Sequence, residues 1–220
     1  MLLMRLFSGF LLLAALTPAP TETETLFARM RERQAAIRTL QVRFTQEKKS
    51  SLLSAPSISE GLFSYEAPDR VRWEYSKPDP YTILIEGDRF KAYYPALHKV
   101  KTARITRMRN RIFHFLLATE PLEKLKNHFQ VELRIAQARP TFTLVLTPLT
   151  PHLAKYISAV TLQVDKQSLL PVDILIQEKD KDYTRLTFSD PRVNTTLPEK
   201  TFVLEVPPGC AVEDYQSGGR

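Results

Sequence analysis

Few residues in this chain combine a reactive type with the spacing that chemistry needs. The single cysteine, Cys210, excludes a disulfide framework and any multi-cysteine metal site, and it reads as a buried, inert thiol. The histidines His98, His114, His128 and His152 stand at no metal-ligand spacing such as H-x-x-x-H, and no H-E-x-x-H occurs. Glu178 and Asp180 are near enough in sequence to act as the acid and base of an ester or glycoside hydrolase. They alternate with Lys179 and Lys181 in what reads as a hairpin turn, where charges are ordinarily solvated. With 6 glycines the chain holds no G-x-G-x-x-G, no G-x-x-x-x-G-K and no G-x-S-x-G, which argues against a phosphate cradle or a serine nucleophile elbow. These absences leave no recognisable motif for binding a cofactor.

The chemistry that remains is apolar. Val71, Trp73 and Tyr75 alternate with Arg72, Glu74 and Ser76, so bulky apolar groups share one face of a strand and polar groups share the other. Taken singly, each ring reads as core. Around 112–118 lies a compact run, IFHFLLA, with no obvious polar face. It suits a plug or lid over a sheet that does not close on itself.

Charge offers a second candidate surface. Lys and Arg number 31 against 24 Asp and Glu, for a net charge of +7. Lys99, Lys101, Arg104, Arg107, Arg109 and Arg111 fall within 99–111 with no acid among them. This run reads equally as a solvated loop face or as a docking patch for an anionic partner such as lipid headgroups or an acidic protein surface. An export signal argues against nucleic acid. That signal is read at the N-terminus: Arg5 precedes an eleven-residue apolar run, LFSGFLLLAAL, which is too short to span a bilayer and fits a signal-peptide core. We expect 1–19 to be a signal peptide, 20–212 one exported, soluble domain and 213–220 a flexible tail.

The elements that must position these side chains follow from the periodicity. Leu26, Phe27, Met30, Ala36 and Ile37 recur at helical spacing, which predicts a helix over 25–38. From 40 the period shortens to two. Strands are expected at 40–45, 62–66, 71–76, 81–86, 90–94, 131–135, 142–147, 157–165, 172–177, 184–188 and 202–206, with a loop at 50–59. Pro68, Pro78 and Gly87 mark turns between them. Eleven short strands with one leading helix describe a mainly β (α+β) chain built as a single antiparallel sheet that can curl into a barrel.

The stretch GLFSYEAPDRVRWEYSKP at 61–78 resembles the periplasmic lipoprotein-carrier family of the LolA type. So does IEGDRFKAYYP at 85–95, and FTQ at 44–46 is similar to the family's first-strand motif. KTFVLEVPPG at 200–209 is similar to its final strand and exit. The resemblance covers about 26–214, with the motifs in the family's order.

It implies an unclosed antiparallel half-barrel with a helical lid over an apolar cavity, no catalysis, no metal and a monomer. It also implies a role: binding the acyl chains of lipoproteins or lipids released by an inner-membrane transporter, and handing them to an outer-membrane receptor. A divergent carrier, or a sensor or adaptor of the same fold for another lipid, is the alternative. The implied cavity lining is Phe44, Phe63, Tyr65, Val71, Trp73 and Tyr75, then Ile83, Ile85, Phe90 and Tyr94, then Phe113, Leu116 and Leu117 of the lid, with Leu144 and Leu146 opposite. The basic run 99–111 is the implied docking surface. In the family a basic residue before the hairpin proline helps latch the lid. Here that position is Ala67, with Arg70 and Arg72 close by and Arg72 expected to face away from Trp73.

Overall fold

The computed structural model describes residues 22–104 and 126–215. The helix α1 (Glu22–Ala35) comes first, shifted three residues towards the N-terminus from the span that periodicity predicts. Its end is set by a distant residue. The Asn194 side-chain amide donates to the carbonyl of Ala36 (2.9 Å), and its oxygen accepts from the backbone N–H groups of Arg38 (2.7 Å) and Thr39 (3.3 Å). Residues 36–38 are thereby drawn out of the helix into the start of the first strand.

Strands β1 (Thr39–Lys49), β2 (Ser57–Glu66), β3 (Arg70–Lys77), β4 (Tyr81–Glu86), β5 (Arg89–Tyr94) and β6 (Lys99–Arg104) form an antiparallel meander. After residue 125 a second meander follows: β7 (Phe129–Ile135), β8 (Thr141–Pro148), β9 (Ile157–Asp165), β10 (Pro171–Glu178) and β11 (Tyr183–Val193), with a short helix α2 (Pro151–Ala154) before β9. Antiparallel pairing of β1 with β11 joins the two meanders. The result is one 12-stranded sheet in the order β12-β6-β5-β4-β3-β2-β1-β11-β10-β9-β8-β7, in which β12 (Ala211–Tyr215) is an added edge strand. The edges β7 and β12 do not pair, so the sheet is an unclosed, mostly antiparallel structure, as expected.

The core lies on one face of this sheet. On β1, Leu40, Val42 and Phe44 are buried and Arg43 and Thr45 exposed, and the same alternation holds along β3, β8 and β9. Laid flat, the strands would span roughly 50 Å, while α1 is only about 21 Å long. Yet side chains from β1 to β4 and from β7 to β11 form one buried cluster with Phe27 and Met30 of α1. Curling the sheet around that cluster makes the buried face concave.

Three expectations are corrected. The basic segment at 99–104, read equally as a solvated loop face or a docking patch, is strand β6: Val100 is buried on one face, and the lysines on the other are met by β12. The segment at 202–206, read as the last strand, forms no strand. A 3₁₀ turn at Glu199–Phe202 instead lays Phe202 against the outer face of β3. There Arg70 stacks over the Phe202 ring at 4.6 Å, and Arg72 donates to the carbonyls of Thr201 (3.4 Å) and Val203 (3.1 Å). β3 is already paired along both edges, so this segment can only cover its face. The last strand is β12, parallel to β6, and it takes up Glu213, Asp214 and Tyr215 from the expected tail. The loop read at 50–59 also ends earlier, because β2 begins at Ser57.

Gly61 marks a close approach of backbone and ring on the inner face. A Cβ at this position would stand 2.1 Å from the carbonyl oxygen of Glu74 and 2.6 Å from the Phe44 ring. The β2–β3 register shifts between Glu60 and Gly61. Gly61→Ala is expected to destabilise the fold by about 1–3 kcal/mol through overpacking, read as a lower midpoint of urea unfolding. An unchanged midpoint would contradict the close approach.

Candidate functional site

The concave face brings together most of the side chains that the sequence assigns to a lipid cavity. Phe44, Phe63, Tyr65, Val71, Trp73, Tyr75, Ile85, Leu144 and Leu146 are all buried in one cluster, and Ile83 and Phe90 pack against it, half-buried. Cross-strand register explains the grouping. Trp73 sits between Phe63 of β2 and Ile83 of β4, and Val71 between Tyr65 and Ile85, so each row of neighbours points the same way. Phe113, Leu116 and Leu117, together with Arg107, Arg109 and Arg111, lie outside the described residues.

The rings form a continuous set. Phe44 meets Trp73 edge-on at 4.8 Å and Tyr75 at 4.9 Å, and Phe63 meets Trp73 at 4.9 Å. Tyr75 stacks on Tyr81 at 4.1 Å, and Tyr81 on Tyr94 at 5.4 Å, running from the buried centre to the half-exposed Tyr94. The Tyr75 hydroxyl donates to Gln46 (2.9 Å). Burial above all, and then the neighbouring Tyr81, push its pKa far above that of an ordinary phenol. Burial raises Tyr81 likewise. Both shifts favour the neutral phenol.

Tyr81 is a member of this set that the sequence reading passed over, although it alternates in phase with Ile83 and Ile85. Reasoning from sequence also stopped at β8. Val160, Leu162 and Val164 of β9 and Ile174 of β10 belong to the same buried face, and their period-two spacing was the available signal.

Among the described residues, these side chains pack against one another on the concave face. A small apolar cavity of about 40 Å³ lies beside them, lined by residues that include Leu40, Val42, Leu170 and Phe188. Larger openings include one of about 520 Å³ at the α1 end of the same face, lined by residues that include Leu26, Ile135 and Phe142, and one of about 530 Å³ at the polar β10–β11 turn. Sites that enclose a small molecule hold roughly 300–1,000 Å³. An acyl chain lying among the rings of Phe44, Phe63, Trp73 and Tyr75 would have to part them.

Neither hairpin arginine reaches that face. Arg72 is turned outward, as its alternation with Trp73 requires, and bonds Glu74 at 2.9 Å. Arg70 bonds Glu66 at 2.7 Å and lies 3.4 Å from Glu86. Ala67 packs against the core edge. The described members of the basic run are each engaged: Lys99 with Glu213, Lys101 over the rings of Tyr94 (5.4 Å) and Tyr215 (5.5 Å), and Arg104 with Asp88 at 3.4 Å. Glu178 and Asp180 stand at a turn in which Glu178 accepts from Thr184 and Asp180 has a left-handed φ of 59°. Among the described residues, no group of three or more His, Cys, Asp or Glu is placed to hold a metal.

A curled, unclosed sheet with an apolar concave face defines a class of half-barrel binding proteins. The family model "Outer membrane lipoprotein carrier protein LolA" matches residues 35–205, and the chain belongs to that family. It is 25% identical over 156 residues to the outer-membrane lipoprotein carrier protein of Chromohalobacter salexigens, covering 70% of each chain. It is 19% identical over 211 residues to that of Pseudoalteromonas translucida, covering 94% of this chain and 96% of the relative. Among solved structures, an uncharacterized conserved protein from Thermus thermophilus shares the fold at a TM-score of 0.56 and 11% identity, over 89% of this chain and 100% of that one. The Pseudomonas aeruginosa MucA/MucB complex shares it at 0.50 and 15% identity, over 82% of this chain and 60% of that one.

Proposed function

We propose that the chain is a non-catalytic periplasmic carrier that shelters the acyl chains of lipoproteins against its concave face. It would receive them from an inner-membrane lipoprotein-releasing transporter and pass them to an outer-membrane receptor. The observation that carries this reading is the unbroken aromatic and aliphatic inner face, from Tyr94 through Trp73 to Leu144, on a sheet that stays open at both edges. The remaining lining is assigned to Phe113, Leu116 and Leu117, and partner docking to the basic run from Lys99 to Arg111.

Burial of an acyl chain contributes about 0.8 kcal/mol per methylene, so a dozen methylenes would contribute roughly 10 kcal/mol. Parting the rings opposes this gain. A face that closes on its own side chains therefore holds a chain less tightly than a rigid preformed pocket, which suits a carrier that must release its cargo without hydrolysing a nucleotide.

The chain has 1 tryptophan, and it stands at the centre of this face. A triacylated peptide is expected to shift the emission of Trp73 in a saturable way, while the same peptide without acyl chains leaves it unchanged. An emission spectrum that ignores the acylated peptide would refute the carrier reading.

A further inference from the structure

Two polar atoms on the inner face are unlike the rest. The Trp73 indole Nε1–H is buried with no acceptor, in a side chain that is 6% exposed. The side-chain oxygen of Gln34 is buried with no donor, in a side chain that is 8% exposed. Trp73 stands on the concave side of β3, edge-on to Phe44. Gln34 is four residues beyond Met30 and seven beyond Phe27 on α1, hence on the helix face that packs into the same cluster.

Two other polar groups of that face have protein partners: the Tyr75 hydroxyl donates to Gln46 (2.9 Å), and the Tyr65 hydroxyl lies 3.5 Å from the Pro68 carbonyl. Buried polar groups in native structures are almost always paired, and an orphan asks for an explanation. Here one orphan is a donor and the other an acceptor, both in apolar surroundings.

We infer that each of these groups is a polar subsite for the linkage of an acylated molecule: the Trp73 N–H donates to an ester carbonyl, and the Gln34 oxygen accepts from an amide N–H. An acyl chain is joined to its carrier molecule through a carbonyl, whereas an alkyl chain of equal length is not. The apolar lining cannot tell the two apart; a buried donor can, because only the acyl form pairs it. This inference rests on the carrier reading and adds to it the part of the cargo that is recognised.

The test compares matched lipopeptides that carry either two ester-linked or two ether-linked chains, with affinities measured by calorimetry on the full chain. The native protein is expected to bind the ester form about three- to tenfold more tightly, the worth of one net hydrogen bond. In Trp73→Phe the ester-to-ether ratio should fall to about one, whatever the substitution does to both affinities through packing. In Gln34→Met, a preference for a secondary amide over its N-methyl counterpart should vanish in the same way. Binding of both native-protein probes with equal affinity, or a ratio that survives in Trp73→Phe, overturns the subsite and leaves the carrier reading standing. Failure of both probes to bind at all overturns the carrier reading and the subsite with it.

Discussion

Replacing Phe63 with alanine is expected to lower the folding free energy by about 3–5 kcal/mol, the range for deleting a fully buried aromatic side chain. Phe63 has no exposed surface, and its ring lies 4.9 Å from that of Trp73. Its neighbours have little freedom to collapse into the space left behind. Trp73 is held by Phe44 on its other side, and Phe44 is fixed over Gly61, where the main chain approaches within van der Waals limits. The cavity term therefore adds to the lost transfer energy. Urea unfolding followed by circular dichroism measures the change. A loss below about 1 kcal/mol would show that the inner face is loosely filled, against the packing described above. The same variant should bind acylated peptide at least as well as the native chain per folded molecule, since one ring fewer must be displaced.

Replacing Ile83 with glutamate is expected to cut the capture of acylated peptide by at least about a hundredfold, because a carboxylate facing buried methylenes without a partner costs several kcal/mol. Ile83 pairs with Trp73 across β3–β4 and with Ala92 across β4–β5, so it belongs to the inner face. It is only half-buried, in contrast to Val71 and Ile85 on the same face. A glutamate there can turn its carboxylate towards water when no chain is bound, so the fold should survive with a modest loss of stability. Emission from Trp73 reports capture, and thermal unfolding reports the fold. A variant that remains folded and captures acylated peptide with native affinity would remove the inner face as the cargo site.

The two substitutions separate packing from binding. Phe63 contributes mainly to the closed interior, and Ile83 stands where the interior meets solvent. Opposite effects on stability and capture would identify the concave face as a surface that exchanges its own contacts for those of a guest.

Much of this architecture is local in origin and so is legible in the chain. The alternation of Val71, Trp73 and Tyr75 with Arg72 and Glu74 determines which side chains share a face, because side chains alternate across any strand. It also places Arg72 on the outer surface, where it bonds Glu74 and the carbonyls of Thr201 and Val203. Pro68, Pro78 and Gly87 mark the turns between β2 and β5. The membership of the inner face from Phe44 to Ile85 and Leu146 follows from the same rule, and the family motifs ride on those strands.

What the chain could not show locally depends on partners far away in sequence. The end of α1 is decided by Asn194, a residue 158 positions from Ala36. The basic segment at 99–104 is a strand because it pairs with β5 on one edge and β12 on the other, and β12 also supplies Glu213 to Lys99 and Tyr215 to Lys101. Phe202, Leu204 and Val206 alternate as a strand would, yet β2 and β4 already occupy both edges of β3, so the segment covers a face instead. The orphaned Trp73 N–H and Gln34 oxygen are visible only once β3 and α1 are brought against one core. Periodicity along the chain sets which way each side chain points. Which groups it then meets, and which are left unmatched, is settled by long-range pairing, because contact and hydrogen bonding act over a few ångströms of space and take no account of sequence separation.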